Sequence, residues 1–216
     1  MFYGPHMKIR VARKAADAYQ HGDLREALVD AGLKLLAEGG VKALSLRAAA
    51  QLAGVSHAAP YRHYRDKDAL VAAIAERGFR QLTASMREEL GTDGATLRTP
   101  EKLRRLGVGY VAFALSHPAN LQVMFSGILK QPDVPEPLLT AANESYAMLH
   151  DSVAAGIASR ELRAADPEHV TLACWSMVHG LAGLIMNGAL PPMAPEALRE
   201  TCMQLLRHLG EGIDGG

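Results

Sequence analysis

The segment Gly54–Lys67, GVSHAAPYRHYRDK, concentrates two histidines, two tyrosines, two arginines and a lysine in 14 residues. Such side chains donate hydrogen bonds to phosphate oxygens and to the edges of bases. Ala58 and Ala59 lie among them and are small enough to let a partner approach closely. Pro60 lacks an N–H group, which costs little near the start of a helix, where that group has no partner. The combination favours contact with DNA.

Two short predicted helices position this segment. Ser45 is the predicted N-cap of the helix LRAAAQLA, which Gly54 ends. Ser56 is the predicted N-cap of the next helix, which begins at His57. Two short helices joined by a turn that contains glycine have the layout of a helix-turn-helix. The second helix of that motif lies in the major groove of DNA.

The rest of the chain also has a helical pattern, and no sustained two-residue alternation indicates a strand. A capping-box-like start at Asp23 opens a first helix, which the pair Gly39-Gly40 is expected to end. Three of the later helices have predicted caps at Asp66, Thr99 and Asp166. The later helices are predicted over residues 69–90, 99–116, 118–125, 138–159, 167–189 and 196–209.

These elements predict an all-α fold of about nine helices. An N-terminal arm (1–20) precedes a three-helix helix-turn-helix domain (21–68), and a C-terminal helical domain follows (69–216). The run GPHM at residues 4–7 has the look of an expression-vector junction, with Met7 as the natural start.

Charge is unevenly distributed along a chain whose net charge is zero. Residues 1–65 hold 10 Lys and Arg against 5 Asp and Glu, whereas residues 66–216 hold 13 against 18. A small basic unit joined to an acidic body supports a polyanionic partner for the N-terminal part.

Other classes of function find no support in the sequence. Cys174 and Cys202 have no metal-ligand spacing and are expected to be buried small hydrophobic residues. Histidine pairs at metal-binding spacing, nucleophile elbows and phosphate loops are absent, so no catalytic residue, metal or cofactor is predicted. The most apolar run, Leu181–Met186, is too short to span a bilayer, and a secretory signal is lacking. A cytoplasmic protein without enzyme activity or membrane contact is expected.

The run LSLRAAAQLAGVSHAAPYRHYRDKDALVAAI resembles the DNA-binding region of the tetracycline-repressor (TetR) family of bacterial regulators. The resemblance extends from about residue 21 to residue 79. It implies DNA contacts by Ser45, Arg47, Ser56, Tyr61, His63 and Lys67, with Tyr61 and Lys67 at phosphate-binding positions.

The same resemblance places His57, Ala58 and Pro60 where base-reading residues usually lie. Two of these three side chains lack hydrogen-bonding groups, which departs from the family pattern. Direct readout is therefore expected from His57 and Arg47, with thymine methyl contacts and DNA shape adding to it. Tyr64, three residues beyond Tyr61, is interpreted as a core aromatic.

The later run WSMVHGLAGL resembles a subgroup of the family marked by Trp-x-x-x-His-Gly, here Trp175, His179 and Gly180. Trp175 and His179 share one helix face. A hydrophobic effector cavity is predicted around them, with further lining by Phe113, Met124, Tyr146, Met148 and Met177. The alternative is ordinary core packing, in which His179 donates to a backbone carbonyl and methionines fill gaps.

In this family the last two long helices form a four-helix dimer interface, which corresponds to residues 167–189 and 196–209. Gly180 and Gly183 would let a neighbouring helix approach closely. The resemblance thus implies a homodimeric regulator, expected to be a repressor that a small molecule releases from double-stranded operator DNA. The alternative is a DNA-binding regulator controlled by a protein partner, or a DNA-organising protein without a small-molecule effector.

Overall fold

The computed structural model describes residues 21–127 and 134–211. Within those ranges the chain forms eight α-helices and one 3₁₀ turn, without strands, so the predicted all-α fold is confirmed. The N-terminal arm at 1–20, with its suspected vector junction, lies outside the described residues. The elements are α1 (His21–Ala43), α2 (Leu46–Leu52), the 3₁₀ turn (Ala59–Arg62), α3 (Lys67–Leu90), α4 (Thr99–Ser116), α5 (Pro118–Met124), α6 (Glu136–Ala158), α7 (Pro167–Met186) and α8 (Pro195–Glu211).

The N-terminal unit packs α1, α2 and the 3₁₀ turn against the first half of α3. Its core contains Leu28, Leu70 and Ile74, each with no exposed surface. Tyr64 is 3% exposed in the same core and donates a hydrogen bond from its hydroxyl to the carbonyl of Arg25, at 3.3 Å. Burial raises the pKa of Tyr64. The interpretation of Tyr64 as a core aromatic is confirmed.

Two predicted N-caps open helices of the N-terminal unit. The Ser45 hydroxyl accepts a hydrogen bond from the Ala48 N–H at 3.1 Å and opens α2. The Asp66 carboxylate accepts from the Ala69 N–H at 2.8 Å and opens α3. Each bond satisfies a donor that the first turn of a helix leaves without a backbone partner.

The predicted helix after Gly54 is wrong in type. Ser56 does not cap it with its side chain, and an α-helix does not begin at His57; a 3₁₀ turn runs from Ala59 to Arg62 instead. The cause is Pro60, which has no N–H to donate to the Ser56 carbonyl, the bond that an α-helix would require. The Ala59 N–H bonds that carbonyl at 3.0 Å, in the tighter pattern.

Two further predicted helix boundaries can be compared with the structure. The pair Gly39-Gly40 interrupts α1 as predicted: Gly40 has the non-helical values φ 63° and ψ −164°, and a short second helical segment continues to Ala43. Only glycine takes this conformation at little cost. Thr99 is the first residue of α4 and not its cap, which is Arg98.

The rear core lies among α3, α4, α6, α7 and α8. Phe113, Val111 and Val153 are almost completely buried there. Both cysteines are buried, as predicted, and burial raises the pKa of Cys202 to about 12. The first half of α3 packs in the N-terminal core and its second half in the rear core. This one helix therefore joins the two parts that the predicted division at residue 68 separates.

Candidate functional site: a polar surface and an aromatic cavity

Six of the nine predicted DNA-contact residues are exposed around α2 and the 3₁₀ turn. Tyr61 is the most prominent large side chain, with 60% of its surface exposed. We call these six the recognition surface: Ser45, Arg47, Ser56, His57, Ala58 and Tyr61. Hydroxyl, guanidinium and imidazole groups are thereby open to a partner on one short stretch of chain.

The other three predicted contacts are placed differently. Pro60 is less than 2% exposed, so it has no surface for a base, and its predicted place among the base-reading residues is corrected. Its ring packs inward and fixes the 3₁₀ turn. His63 is half-buried. The Lys67 ammonium donates to the Val41 carbonyl at 2.7 Å, which ties the end of α1 to the start of α3 and leaves two further N–H groups on the ammonium.

Two arginines near the recognition surface escaped the sequence analysis. Arg62 closes the 3₁₀ turn and is exposed. Arg65 is also exposed and pairs with Asp66 at 3.0 Å. Their positive charge was the available signal, since exposed arginines near such a turn can bind phosphate bidentately.

A cavity of about 240 Å³ opens among α3, α4, α6 and α7. Five of the eleven aromatic residues of the chain line it, and no charged side chain does so among the described residues. We call it the aromatic cavity. Its walls are Phe79, Leu82, Met86, Tyr110, Phe125, Ala142, Asn143, Ser145, Tyr146, Leu149 and Trp175.

Trp175 and His179, one turn apart on α7, both contact the buried hydroxyl of Tyr110. The Tyr110 oxygen lies 2.6 Å from Nδ1 of His179. Burial raises the pKa of Tyr110 to about 12, and a hydrogen bond from Trp175 acts in the opposite direction. The hydroxyl therefore stays protonated and shares a hydrogen bond with Nδ1 of His179, while the indole N–H of Trp175 donates to its oxygen. Residues one turn apart on α7 thus hold one tyrosine of α4.

The predicted cavity residues are only partly brought together. Trp175 and Tyr146 line the aromatic cavity, and His179 reaches it through Tyr110. Phe113 does not line it: it is 1% exposed and stacks on His117, with ring centroids 5.1 Å apart.

The three methionines predicted to line the aromatic cavity do not line it. Met124 lines a neighbouring hollow, and Met148 and Met177 pack against the rear core. For these three residues the alternative of ordinary packing describes what the structure shows. The cavity residues Phe79, Tyr110 and Phe125 were not predicted from the sequence, because they come from separate elements and have no shared spacing.

One edge of the aromatic cavity carries a polar cluster that joins α6 to α7. The Tyr146 hydroxyl donates to Oε2 of Glu168 at 2.5 Å, and Oε1 of Glu168 lies 3.3 Å from Nε2 of His150. The rings of Tyr146 and His150 stack at 5.9 Å, and Nδ1 of His150 lies 3.3 Å from Asp151. The nearby carboxylate of Glu168 raises the pKa of Tyr146. We call these four residues the rim cluster.

A wide groove of about 830 Å³ lies on the other side of Phe125 and His179, against α1. Phe125 lines both the groove and the aromatic cavity, and its ring lies 5.1 Å from that of His179. Leu36 and Val41 of α1 form the opposite wall of the groove. The aromatic cavity is therefore separated from the N-terminal unit by one layer of rings and this groove.

The last two helices expose an apolar face. Leu172 and Leu184 of α7 are 54% and 50% exposed, and Leu209 of α8 is 37% exposed. At Gly180 and Gly183 nothing lies within 4 Å of the position a Cβ would occupy. By length and composition α7 is able to cross a membrane, and 28% of its most apolar stretch is buried. An exposed apolar face of this kind also marks a protein–protein interface.

Comparisons with known families agree with this layout. The family model for bacterial regulatory proteins of the tetR family matches residues 28–74. A second family model, for a tetracyclin repressor-like C-terminal domain, matches residues 103–209.

Solved structures share the fold over nearly the whole chain. A protein of unknown function from Rhodococcus sp. RHA1 is 31% identical, with a TM-score of 0.73, over 88% of this chain and 96% of that one. The regulator PfmR from Thermus thermophilus is 20% identical, with a TM-score of 0.69, over 89% and 98%. The regulator FadR from Bacillus subtilis, solved with stearoyl-CoA, is 16% identical, with a TM-score of 0.71, over 88% and 99%.

Proposed function

The chain belongs to the TetR family of bacterial transcriptional regulators, and from that premise we propose that it is a repressor released from its operator by an apolar small molecule. As a family member it is a DNA-binding regulator and not an enzyme. The observation that carries the proposal is the pairing of an exposed polar surface with an aromatic cavity on one helix, α3. That helix begins at Lys67 and contributes Phe79, Leu82 and Met86 to the cavity wall.

The recognition surface is proposed to meet the major groove of operator DNA. Tyr61 and Lys67 bind phosphates and set the register, together with Arg62. Arg47 and His57 contact base edges, and Ala58 packs against thymine methyl groups. Ser45, Ser56 and His63 add hydrogen bonds to the backbone of the DNA. With few base-reading donors, a large share of specificity comes from DNA shape.

The effector is proposed to bind in the aromatic cavity. Its walls are apolar and aromatic with a few polar points, which is the usual composition of a small-molecule site. Bacillus subtilis FadR, which has the same fold, was solved with stearoyl-CoA, so the fold accommodates a long apolar ligand.

Release follows from the position of α3. A ligand that separates Phe79 and Met86 from the opposite helices shifts α3, which also anchors the N-terminal core through Leu70 and Ile74. Because coupling between two sites is reciprocal, operator DNA must weaken effector binding by the factor by which the effector weakens operator binding.

Family members act as dimers, and we place the interface on α7 and α8. Their exposed leucines and the open space at Gly180 and Gly183 support this placement. The recognition surfaces of the two subunits would then lie roughly 34–36 Å apart, or a multiple of that distance, to meet successive major grooves. Because the proposed operator is chromosomal DNA of a bacterium, we expect the protein to act in the cytoplasm.

The interface can be tested by sedimentation. Leu184→Glu puts a charge on the proposed interface and is expected to give monomers at micromolar concentration, with weakened operator binding. Ala84→Glu, at an exposed position on α3, is the matched control and should remain dimeric. If the Leu184→Glu protein stays dimeric, the placement of α7 in the interface is contradicted.

The effector site can be tested with a cavity-filling variant. Operator binding is followed by fluorescence anisotropy, using DNA from upstream of the protein's own gene and 1-decanol as an apolar probe. Trp175, the only tryptophan, reports entry into the cavity through its emission. Ala142→Leu narrows the cavity and is expected to abolish both decanol-induced release and the change in emission. Ala155→Leu, on the exposed face of the same helix, should keep both. Operator binding that no apolar probe alters would favour control by a protein partner.

A further inference from the structure

The charge of the effector can be inferred from the walls of the aromatic cavity. We propose that the cavity selects a lipophilic monocation, such as an alkylammonium, over a carboxylate with the same apolar chain. This selectivity rests on the proposed function, because it refines which molecule fills that cavity.

The aromatic walls favour a cation. Phe79, Tyr110, Phe125, Tyr146 and Trp175 come from five different segments of the fold and meet around one space of about 240 Å³. The faces of such rings carry negative partial charge and attract ammonium groups, with tryptophan the strongest of them. Sites that recognise quaternary ammonium groups are built in this way.

An anion would find no compensating charge in the cavity. Its described walls carry no lysine, arginine or histidine, and their polar groups are Asn143, Ser145, the tyrosine hydroxyls and the indole N–H of Trp175, which bonds to Tyr110. The Tyr110 hydroxyl already bonds to His179, and the Tyr146 hydroxyl bonds to Glu168. A carboxylate would therefore be desolvated with at most two neutral donors, and burying an unpaired charge is strongly unfavourable.

The rim cluster adds negative charge at the edge. Glu168 accepts the hydrogen bond of the Tyr146 phenol in the cavity wall, so its carboxylate lies at the hydroxyl end of that ring. Asp151 lies on the far side of His150, whose two ring nitrogens face Asp151 and Glu168. Two carboxylates flank the one basic side chain of this cluster, so an approaching cation is attracted and an approaching carboxylate is repelled.

The experiment compares three probes with one chain length and three charges: decyltrimethylammonium, 1-decanol and decanoate. Affinity is measured on the full-length dimer from Trp175 emission, below the concentration at which each probe forms micelles. The cation is expected to bind about tenfold more tightly than decanol, as one desolvated cation–π contact would give, and decanoate more weakly than decanol.

A pair of matched variants assigns the selectivity to the rim. Glu168→Gln is expected to reduce the preference for the cation over decanol several-fold. Glu196→Gln is the control, because Glu196 also follows a proline in the first turn of a helix but lies on α8, away from the aromatic cavity. It should leave the ranking of the three probes unchanged.

The possible results separate the two proposals. Decanoate binding as tightly as the ammonium, or equal affinities for all three probes, overturns the charge selectivity while leaving the effector cavity in place. Emission that none of the three probes alters contradicts both the selectivity and the proposed effector site. A cation preference that Glu168→Gln and Glu196→Gln leave equally intact removes the rim cluster from the proposal and overturns its electrostatic part.

Discussion

The recognition surface and the aromatic cavity are built in opposite ways. The recognition surface comes from one run of neighbouring residues, faces water and carries polar tips on very short elements. The aromatic cavity is assembled from long helices and loop residues far apart in sequence, faces inward and holds no charge on its described walls. The energetics should differ accordingly: contacts with DNA depend on salt, whereas binding in the cavity depends on volume and desolvation.

The two regions nevertheless depend on the same support. Helix α3 starts beside the recognition surface and ends in the rear core, and α4 packs along its second half. Substitutions in that shared core should therefore damage both regions together, whereas substitutions at their surfaces should separate them.

The largest effect is expected from Phe113→Ala, which should impair the recognition surface and the aromatic cavity together. Phe113 is 1% exposed and lies in the rear core on α4. Removing a buried phenyl ring should cost about 3–5 kcal/mol of unfolding free energy, because it loses burial and leaves a hole. Denaturant melts should show the loss, and both operator and probe binding should fall with the folded fraction. Phe113→Leu keeps most of the volume and is expected to lose less; equal losses would show that the ring does not act through packing.

A smaller global effect is expected from Gly109→Ala at the contact of α4 with α3. An added Cβ would lie 2.7 Å from Cα of Met86 and 2.8 Å from the Ser85 carbonyl oxygen, both backbone atoms. The two helices would have to separate, at a cost of about 1–3 kcal/mol typical of overpacking. Gly210→Ala, where nothing lies within 4 Å of the new methyl group, is the control. A melting temperature equal to that of the wild type would show that the helices adjust without strain.

The recognition surface could be predicted from sequence because its chemistry is local. Caps at Ser45 and Asp66, the glycine turn and the tyrosine spacing are all read within a few residues, and the structure confirms the caps. Failures there are also local: Pro60 removes one backbone donor, which turns the predicted helix into a 3₁₀ turn and buries the ring.

The aromatic cavity could be predicted only in part. Trp175 and His179 were found because they share one face of one helix. Their partner Tyr110 lies 69 positions from His179 in the chain, and its hydrogen bond exists only once α4 and α7 are packed together. Phe113 was misplaced for the same reason, since the direction of its ring depends on how α4 is rotated against its neighbours.

The electrostatic character of the recognition surface can be tested at Lys67. Lys67→Ala should weaken binding to all DNA sequences alike and lower the slope of log affinity against log salt by about one per subunit. It should also cost about 1 kcal/mol of stability, because the bond from its ammonium to the Val41 carbonyl is lost. Lys34→Ala, at an exposed position on α1, is the control for charge.

Tyr61→Phe should likewise weaken binding without changing sequence preference, and it should leave stability unchanged, since Tyr61 is 60% exposed.

A Lys67→Ala protein with normal salt dependence but reduced stability would assign this lysine to the fold alone. Its bond to α1 would then be its whole role. An altered preference among operator sequences would contradict the assignment to phosphate and move Lys67 to the bases.

The smallest expected effect is at His179, where the cavity meets the layer of rings facing α1. His179→Gln keeps a polar group of similar reach, so the Tyr110 hydroxyl retains a hydrogen-bond partner and the unfolding free energy should fall by about 1 kcal/mol or less. The imidazole's ring contact with Phe125 is lost, however, and Phe125 lines both the aromatic cavity and the groove against α1. Decanol-induced release of operator DNA should therefore weaken more than decanol binding or stability does.

Trp175→Phe should behave similarly, because it removes the indole donor to Tyr110 while keeping an aromatic wall. His169→Gln, at an exposed position on the same helix, is the matched control. If both variants lost stability while keeping a normal release response, Trp175 and His179 would be core residues, and the coupling would have to travel through α3 alone.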